Sequence, residues 1–203
     1  MKIGDIIKFG KYDWRIIDIQ DEKVLIITKN IVEMGNYHGK RFDNKVKITW
    51  ADCDLRKYLN IKFFDKFNSE EKEKIISVNN QNPDNPWYLT KGGEETQDKI
   101  FLLSLYEVCH YFGDSTEKLQ NTTGKRLQIS NKKNHISDVN DNNRMAKNDN
   151  GEYECWLLRS PGCFAFQVAG VYVDGEVAVE GMPVCHPDKE KMGIRPALWM
   201  KLK

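Results

Sequence analysis

Apolar residues in this chain gather in short runs near its two ends, each closed by a turn signal within a few residues. Runs of that length read as strands, and strands must pair with one another before they bury anything. Residues 5–9 form the first. Gly10-Lys11 then turns the chain into Tyr12-Asp13-Trp14-Arg15-Ile16-Ile17-Asp18-Ile19, which is rich in β-branched and aromatic side chains. Asp21-Glu22 turns it again into Val24-Leu25-Ile26-Ile27-Thr28, so the first thirty residues predict a β-meander. The last third is β-like again. Residues 154–160 predict a strand ended by Pro161-Gly162, and residues 164–173 lead into the Asp174-Gly175 turn, a strong hairpin signal. Residues 176–180 return, and residues 194–200 close the chain.

Between these ends the pattern is helical and brief. Thr49 reads as the N-cap of a helix over residues 50–60, with acidic residues early, basic ones later, and Leu55, Tyr58 and Leu59 on one face. A second helix starts at Ser69, whose Glu70-Glu71-Lys72-Glu73 continuation resembles a capping box. Residues 99–103 predict a buried strand, and Ser104 caps a helix over 105–112 closed by Gly113. Residues 34–47 read as a surface loop, and the polar stretch 114–151 as a long surface excursion. The fold class expected is α+β. Residues 1–203 are taken as one domain, with Trp14, Leu55, Leu59, Phe101, Leu103, Trp156, Leu158 and Leu198 in one continuous core.

Composition narrows the function classes. Charged residues make up 30% of the chain yet cancel to a formal net charge of +1, which disfavours a nucleic-acid partner. No apolar run is long enough to cross a bilayer, and no apolar segment follows the basic start, so neither a membrane nor a signal peptide is expected. The five cysteines are odd in number and scattered, which reads as reduced thiols in the cytoplasm.

Metal and catalytic signatures are weak. Cys109-His110 and Cys185-His186 invite a zinc reading, but neighbouring residues rarely ligate one metal and no C-x-x-C spacing is present. Asp138-Val139-Asn140-Asp141-Asn142-Asn143 resembles a calcium loop but lacks its glycine and carries Asp149 where a glutamate belongs. No metal, cofactor or catalytic residue is assigned. The odd feature is a pair of arginines in apolar strands, Arg159 in Trp156-Leu157-Leu158-Arg159-Ser160-Pro161-Gly162 and Arg195 in Gly193-Ile194-Arg195-Pro196-Ala197-Leu198. They either tie loops down through carbonyls and carboxylates or touch a ligand directly.

With these two motifs, and with Trp14-Arg15-Ile16-Ile17, Leu55-Arg56-Lys57-Tyr58-Leu59-Asn60 and Lys99-Ile100-Phe101-Leu102-Leu103-Ser104, the chain resembles an uncharacterised domain family of Firmicutes and their phages. More distantly it is similar to the C-type-lectin-like fold of formylglycine-generating enzymes and of retroelement variable proteins, where similar strands bracket an exposed loop region. The resemblance implies that fold here, with an N-terminal β-meander, short central helices and a β-rich C-terminal third. It carries over neither sugar specificity nor oxidase chemistry, because the calcium motif and the paired cysteines are lacking.

The expected function is therefore non-catalytic recognition of a protein or small ligand. Phe164, Phe166 and Tyr172 offer aromatic contact, Asp174, Glu176 and Glu180 acidic contact, and Arg159 and Arg195 flank them. The alternatives are an enzyme related to the formylglycine type, or a structural component of a phage or defence assembly. An enzyme predicts a Cys or His converging with a second titratable group; a binding module predicts an exposed aromatic and polar patch. If the thiols are reduced, titration of the denatured protein should return all five cysteines, and a shortfall of a pair would mean a disulfide.

Overall fold

A computed structural model describes residues 1–39, 47–121, 134–185 and 191–202. The N-terminal meander forms as the turn signals predict. β1 (Ile6–Phe9), β2 (Tyr12–Gln20) and β3 (Lys23–Thr28) pair antiparallel through two-residue turns, with Phe9 opposite Tyr12 and Gln20 opposite Lys23. Gly10 takes φ +56° in the first turn, a conformation glycine reaches without a Cβ clash. Trp14 is fully buried among Phe9, Tyr12 and Phe67, and its indole donates to the Phe9 carbonyl at 2.8 Å.

Residues 33–35, expected in a loop, form the short strand β4 (Glu33–Gly35), which pairs with a late strand. The remainder of that loop, residues 40–46, lies outside the described residues. The first helix starts later than its sequence suggests. Thr49 closes a turn by accepting from the Cys53 N–H at 3.0 Å, and Cys53 caps α1 (Asp54–Tyr58) with its sulfur. The chain continues through a π-helical turn, Leu59–Phe63, that places Asn60 against residues 99 and 100. α2 (Ser69–Lys74) begins at the expected residue, but Asn68 rather than Ser69 supplies the cap, in a reciprocal box with Glu71. β5 (Ile75–Ile76), β6 (Val78–Asn80) and β7 (Thr96–Asp98) follow. The buried Asp98 carboxylate accepts from Trp50, Arg56, Asn80 and Thr96, which welds this middle section together.

Residues 100–103 are buried, as expected, but they form no strand; the chain bends at 99–100, and the one pairing is the Phe101–Ala197 bridge. α3 (Leu105–Tyr111) then starts at Ser104 with a full capping box to Glu107, and Gly113 follows it at φ +115°. Of the stretch 114–151, residues 122–133 lie outside the described residues, and the described part is not simply a surface excursion. It contains α4 (Thr116–Gln120), β8 (His135–Ile136) and α5 (Asp141–Arg144), and Arg144 is wholly buried. The carboxylates of the calcium-like segment, Asp138 and Asp141, face that guanidinium at 2.8 and 2.5 Å.

The C-terminal third is β9 (Trp156–Pro161), β10 (Gln167–Val171), β11 (Val177–Pro183), β12 (Met192–Ile194) and β13 (Ala197–Lys201). Two main sheets result, in the orders β1-β2-β3-β13-β5 and β4-β12-β9-β10-β11-β8, with β6-β7 as a separate ribbon. The expected last strand is thus two strands. The chain leaves the second sheet at Ile194 and enters the first at Ala197, so Arg195-Pro196 is the corner between them. One hydrophobic cluster draws buried apolar residues from both sheets and α3, including all eight residues predicted for the core. Among the described residues no helix is long and apolar enough to cross a membrane.

The Arg144 clamp has a pH signature. Burial opposes ionisation of Asp138, but the Ser115 hydroxyl, the Asn140 N–H and the Arg144 guanidinium outweigh it and hold this carboxyl below its usual range. A depressed carboxylate stabilises the fold fully above its unfolded pKa, and the contribution vanishes as pH falls through the folded value. Asp138→Asn should therefore cost about 1–3 kcal/mol at neutral pH and progressively less below about pH 4. Urea melts of parent and variant across that range would show whether the two curves converge.

Candidate functional site

Three of the predicted site residues come together on the β10–β11 hairpin. Hairpin pairing sets Tyr172 against Glu176 at the turn, and the Tyr172 hydroxyl reaches Glu180 at 3.4 Å. Burial, then the charge of Glu180, pushes the Tyr172 phenol up to about 12, so it stays a neutral donor. A fourth residue joins them that sequence reasoning did not single out as a site residue. β8 pairs with β11, with His135 opposite Ala178, and this register lays His135 Nε2 2.7 Å from the Glu176 carboxylate. His135 also meets the Tyr172 ring edge-on at 5.9 Å, and Asn134 donates to Glu180 at 3.0 Å. The only sequence clue was a lone histidine in a polar stretch; its partner lies 41 positions on.

Phe164 and Phe166 lie at the other end of the hairpin, before β10. Their rings are parallel, 5.2 Å apart with 2° between planes, and Phe164 is 44% exposed. A cysteine lies between the two groups. The Cys163 N–H donates to the Glu180 carbonyl and its thiol to Gln167 Oε1 at 2.8 Å. Asp174 has a local role, accepting from the Glu176 N–H to brace the turn that Gly175 makes at φ +88°.

The two arginines are elsewhere. Arg159 is 4% exposed; it grips both oxygens of Glu107 and also donates to the Leu102 and Gln81 carbonyls. Because Glu107 is the same residue that closes the α3 capping box, one carboxylate fixes a helix start and a core guanidinium together. Arg195 is 2% exposed at the corner between the sheets and donates to the carbonyls of Thr28, Lys29 and Arg144. Both guanidiniums bond to the fold's own backbone carbonyls, and Arg159 to Glu107 as well.

Burial raises the thiols of Cys53 and Cys109 to about 12 and that of Cys163 to about 11, and it raises Cys155 as well. These sulfurs are protonated at neutral pH and lack the thiolate a nucleophile needs. All five cysteines are unpaired, and His186 of the second Cys-His pair lies outside the described residues. Among the described residues no three His, Cys, Asp or Glu side chains gather closely enough to hold a metal ion.

With this geometry in hand, comparison by family gives a match over residues 21–202 to the model for a domain of unknown function, DUF6273. The chain belongs to the DUF6273 family. The match begins in the β2–β3 turn and runs one residue past the end of β13, so the DUF6273 unit takes in the hairpin, the sheet corner, Arg159 and Arg195. No curated protein and no solved structure matches the chain.

Denaturant melts should separate these side chains. Phe164→Ala removes a half-exposed ring and should leave stability within about 0.5 kcal/mol. Tyr172→Ala, which strips a partner from both Glu180 and His135, should cost about 1–3 kcal/mol. Arg159→Met leaves Glu107 without its cation and should cost about 3–5 kcal/mol. An Arg159 variant that melts like the parent would place the residue in a ligand site instead.

Proposed function

We propose that this DUF6273 chain is a non-catalytic recognition module of the C-type-lectin-like kind, taking a protein or small ligand on the β10–β11 hairpin and its flanking loops. The observation that carries the reading is the Phe164–Phe166 pair. Two parallel rings, one of them half-exposed, on a loop that β10 and β11 hold in place offer a rigid apolar anchor. Along the same hairpin, Tyr172, Glu176, Glu180 and His135 supply polar contacts that favour a partner rich in hydrogen-bond donors or positive charge. The lectin-like part of the reading is supported by β9 and the Arg195-Pro196 corner, which bracket the hairpin and its loops in the chain as the resemblance implies.

A second reading has one observation in its favour. His135 Nε2 and the Glu176 carboxylate lie 2.7 Å apart, both only slightly exposed, a juxtaposition of the sort that serves acid–base catalysis. It ranks below recognition because the neighbouring thiol, Cys163, is protonated and no other activated nucleophile lies in the cluster described.

The test is affinity capture from the producing cell by three immobilised forms: the parent, Phe164→Ala/Phe166→Ala, and Tyr106→Ala as an exposed aromatic control on α3. A partner retained by the parent and the control, and lost by the double variant with its melting unchanged, is the expected result. Identical capture by all three would sink the reading. Turnover of a captured substrate that stops in Glu176→Gln would replace recognition by catalysis.

A further inference from the structure

Among the described residues three arginines are buried, and their counter-charges differ. Arg144 has Asp138 and Asp141, and Arg159 has Glu107. Arg195 has no carboxylate within ion-pair distance among the described residues, and its three acceptors are all carbonyl oxygens. Those three bonds leave part of its donor fork without an acceptor. Its guanidinium instead lies against the rings of Trp156 and Phe112, at 4.9 and 5.4 Å. The Arg15 guanidinium lies 5.5 Å from the same Phe112 ring, so one aromatic side chain serves two cations. Burial, and secondarily the like charge of Arg15, lowers the Arg195 pKa to about 9, which still leaves it protonated at neutral pH.

This buried charge borders a cleft. Arg195 lines a cleft of about 480 Å³ together with Arg15, Lys29, Lys147, Asn142 and Tyr153. Four cations and no acidic residue line it, in a chain whose acidic and basic residues otherwise nearly cancel. The positive side chains come from separate places: Arg15 from β2, Lys29 from the end of β3, Lys147 from beyond α5, and Arg195 from the sheet corner. Only the assembled fold brings them together. Lys147 lies 4.9 Å from the ring of Tyr153, which is half-exposed at the cleft.

We propose that this cleft binds a small phosphate-bearing ligand, with Arg195 as the buried anchor and Arg15, Lys29 and Lys147 around it. A dianion neutralises more of the four positive charges than a carboxylate does, and a phosphate oxygen supplies the acceptor that the Arg195 fork lacks. The volume is that of a small-molecule site and larger than inorganic phosphate alone requires, so the phosphate is attached to a small organic body, with the Tyr153 ring available to pack against it. The cleft shares no residue with the Phe164–Phe166 loop or the His135–Glu176 pair, so either proposal stands if the other fails.

The probe is inorganic phosphate, followed by ¹⁵N–¹H shifts of the full chain, with sodium chloride at matched ionic strength and sodium acetate as references. Saturable shifts at residues 29, 147 and 195 in the millimolar range with phosphate, and none with chloride, are expected. Lys29→Gln/Lys147→Gln alters only exposed side chains; it should melt like the parent and weaken phosphate by about tenfold or more. Arg195→Met should abolish binding, and because that variant also strips the sheet corner, the lysine variant carries the test if it fails to fold. Phosphate binding unchanged in the lysine variant, acetate binding as tightly as phosphate, or no saturation at all would overturn the proposal. A single-stranded oligonucleotide that displaces phosphate and binds far more tightly would overturn the small-ligand class in favour of nucleic acid.

Discussion

At the corner between the two main sheets, the Arg195 guanidinium bonds the Thr28 and Lys29 carbonyls at the end of β3 and the Arg144 carbonyl at the end of α5. The Thr28 N–H returns to the Pro196 carbonyl at 3.0 Å, and the Trp156 indole donates to the same Arg144 carbonyl. One side chain thus ties the N-terminal meander, the polar middle segment and the C-terminal strands at a single point. Pro196 suits the place, because a residue with no N–H and a fixed φ can turn a chain out of one sheet without leaving a donor unpaired. A neutral side chain in that corner would leave three carbonyls without this donor, and buried carbonyls without partners are costly.

The other buried arginines extend the same logic into the core. Arg159 in β9 reaches across to residues 81, 82 and 102 and to the α3 cap, while Arg144 joins α5 to the hairpin turn through the Gly175 carbonyl at 2.8 Å. Each guanidinium organises loop backbone that has no ladder of its own to satisfy it. The apolar cluster around Trp14, Phe63, Trp156 and Leu198 provides the burial that drives folding, and the arginines decide how the irregular segments sit upon it. The hairpin that carries Phe164, Phe166 and Glu176, with His135 facing it from β8, is held by this frame, and Asn85 adds bonds to the Pro161 and Val179 carbonyls at its base. If the loop takes a ligand as proposed, such a base removes the cost of ordering it on binding.

Much of this was determined by local sequence. The meander, its two turns, the Ser104 cap, the Asp174-Gly175 hairpin and the core residues from Trp14 to Leu198 follow from periodicity and turn chemistry, which act over a few residues. The same local logic singled out Arg159 and Arg195 as anomalies, and identified Tyr172, Glu176 and Glu180 as neighbours on one hairpin. What tertiary structure alone decided is where distant segments meet. No spacing in the chain reveals that His135 faces Glu176, that residues 99–103 form no strand, or that Asp138 and Asp141 spend their charge on Arg144. Nor does it reveal that Arg15, Lys29, Lys147 and Arg195 share one cleft. Pairing between strands far apart in sequence sets those meetings, and a carboxylate or guanidinium takes its role from the charge it meets there rather than from its neighbours in the chain.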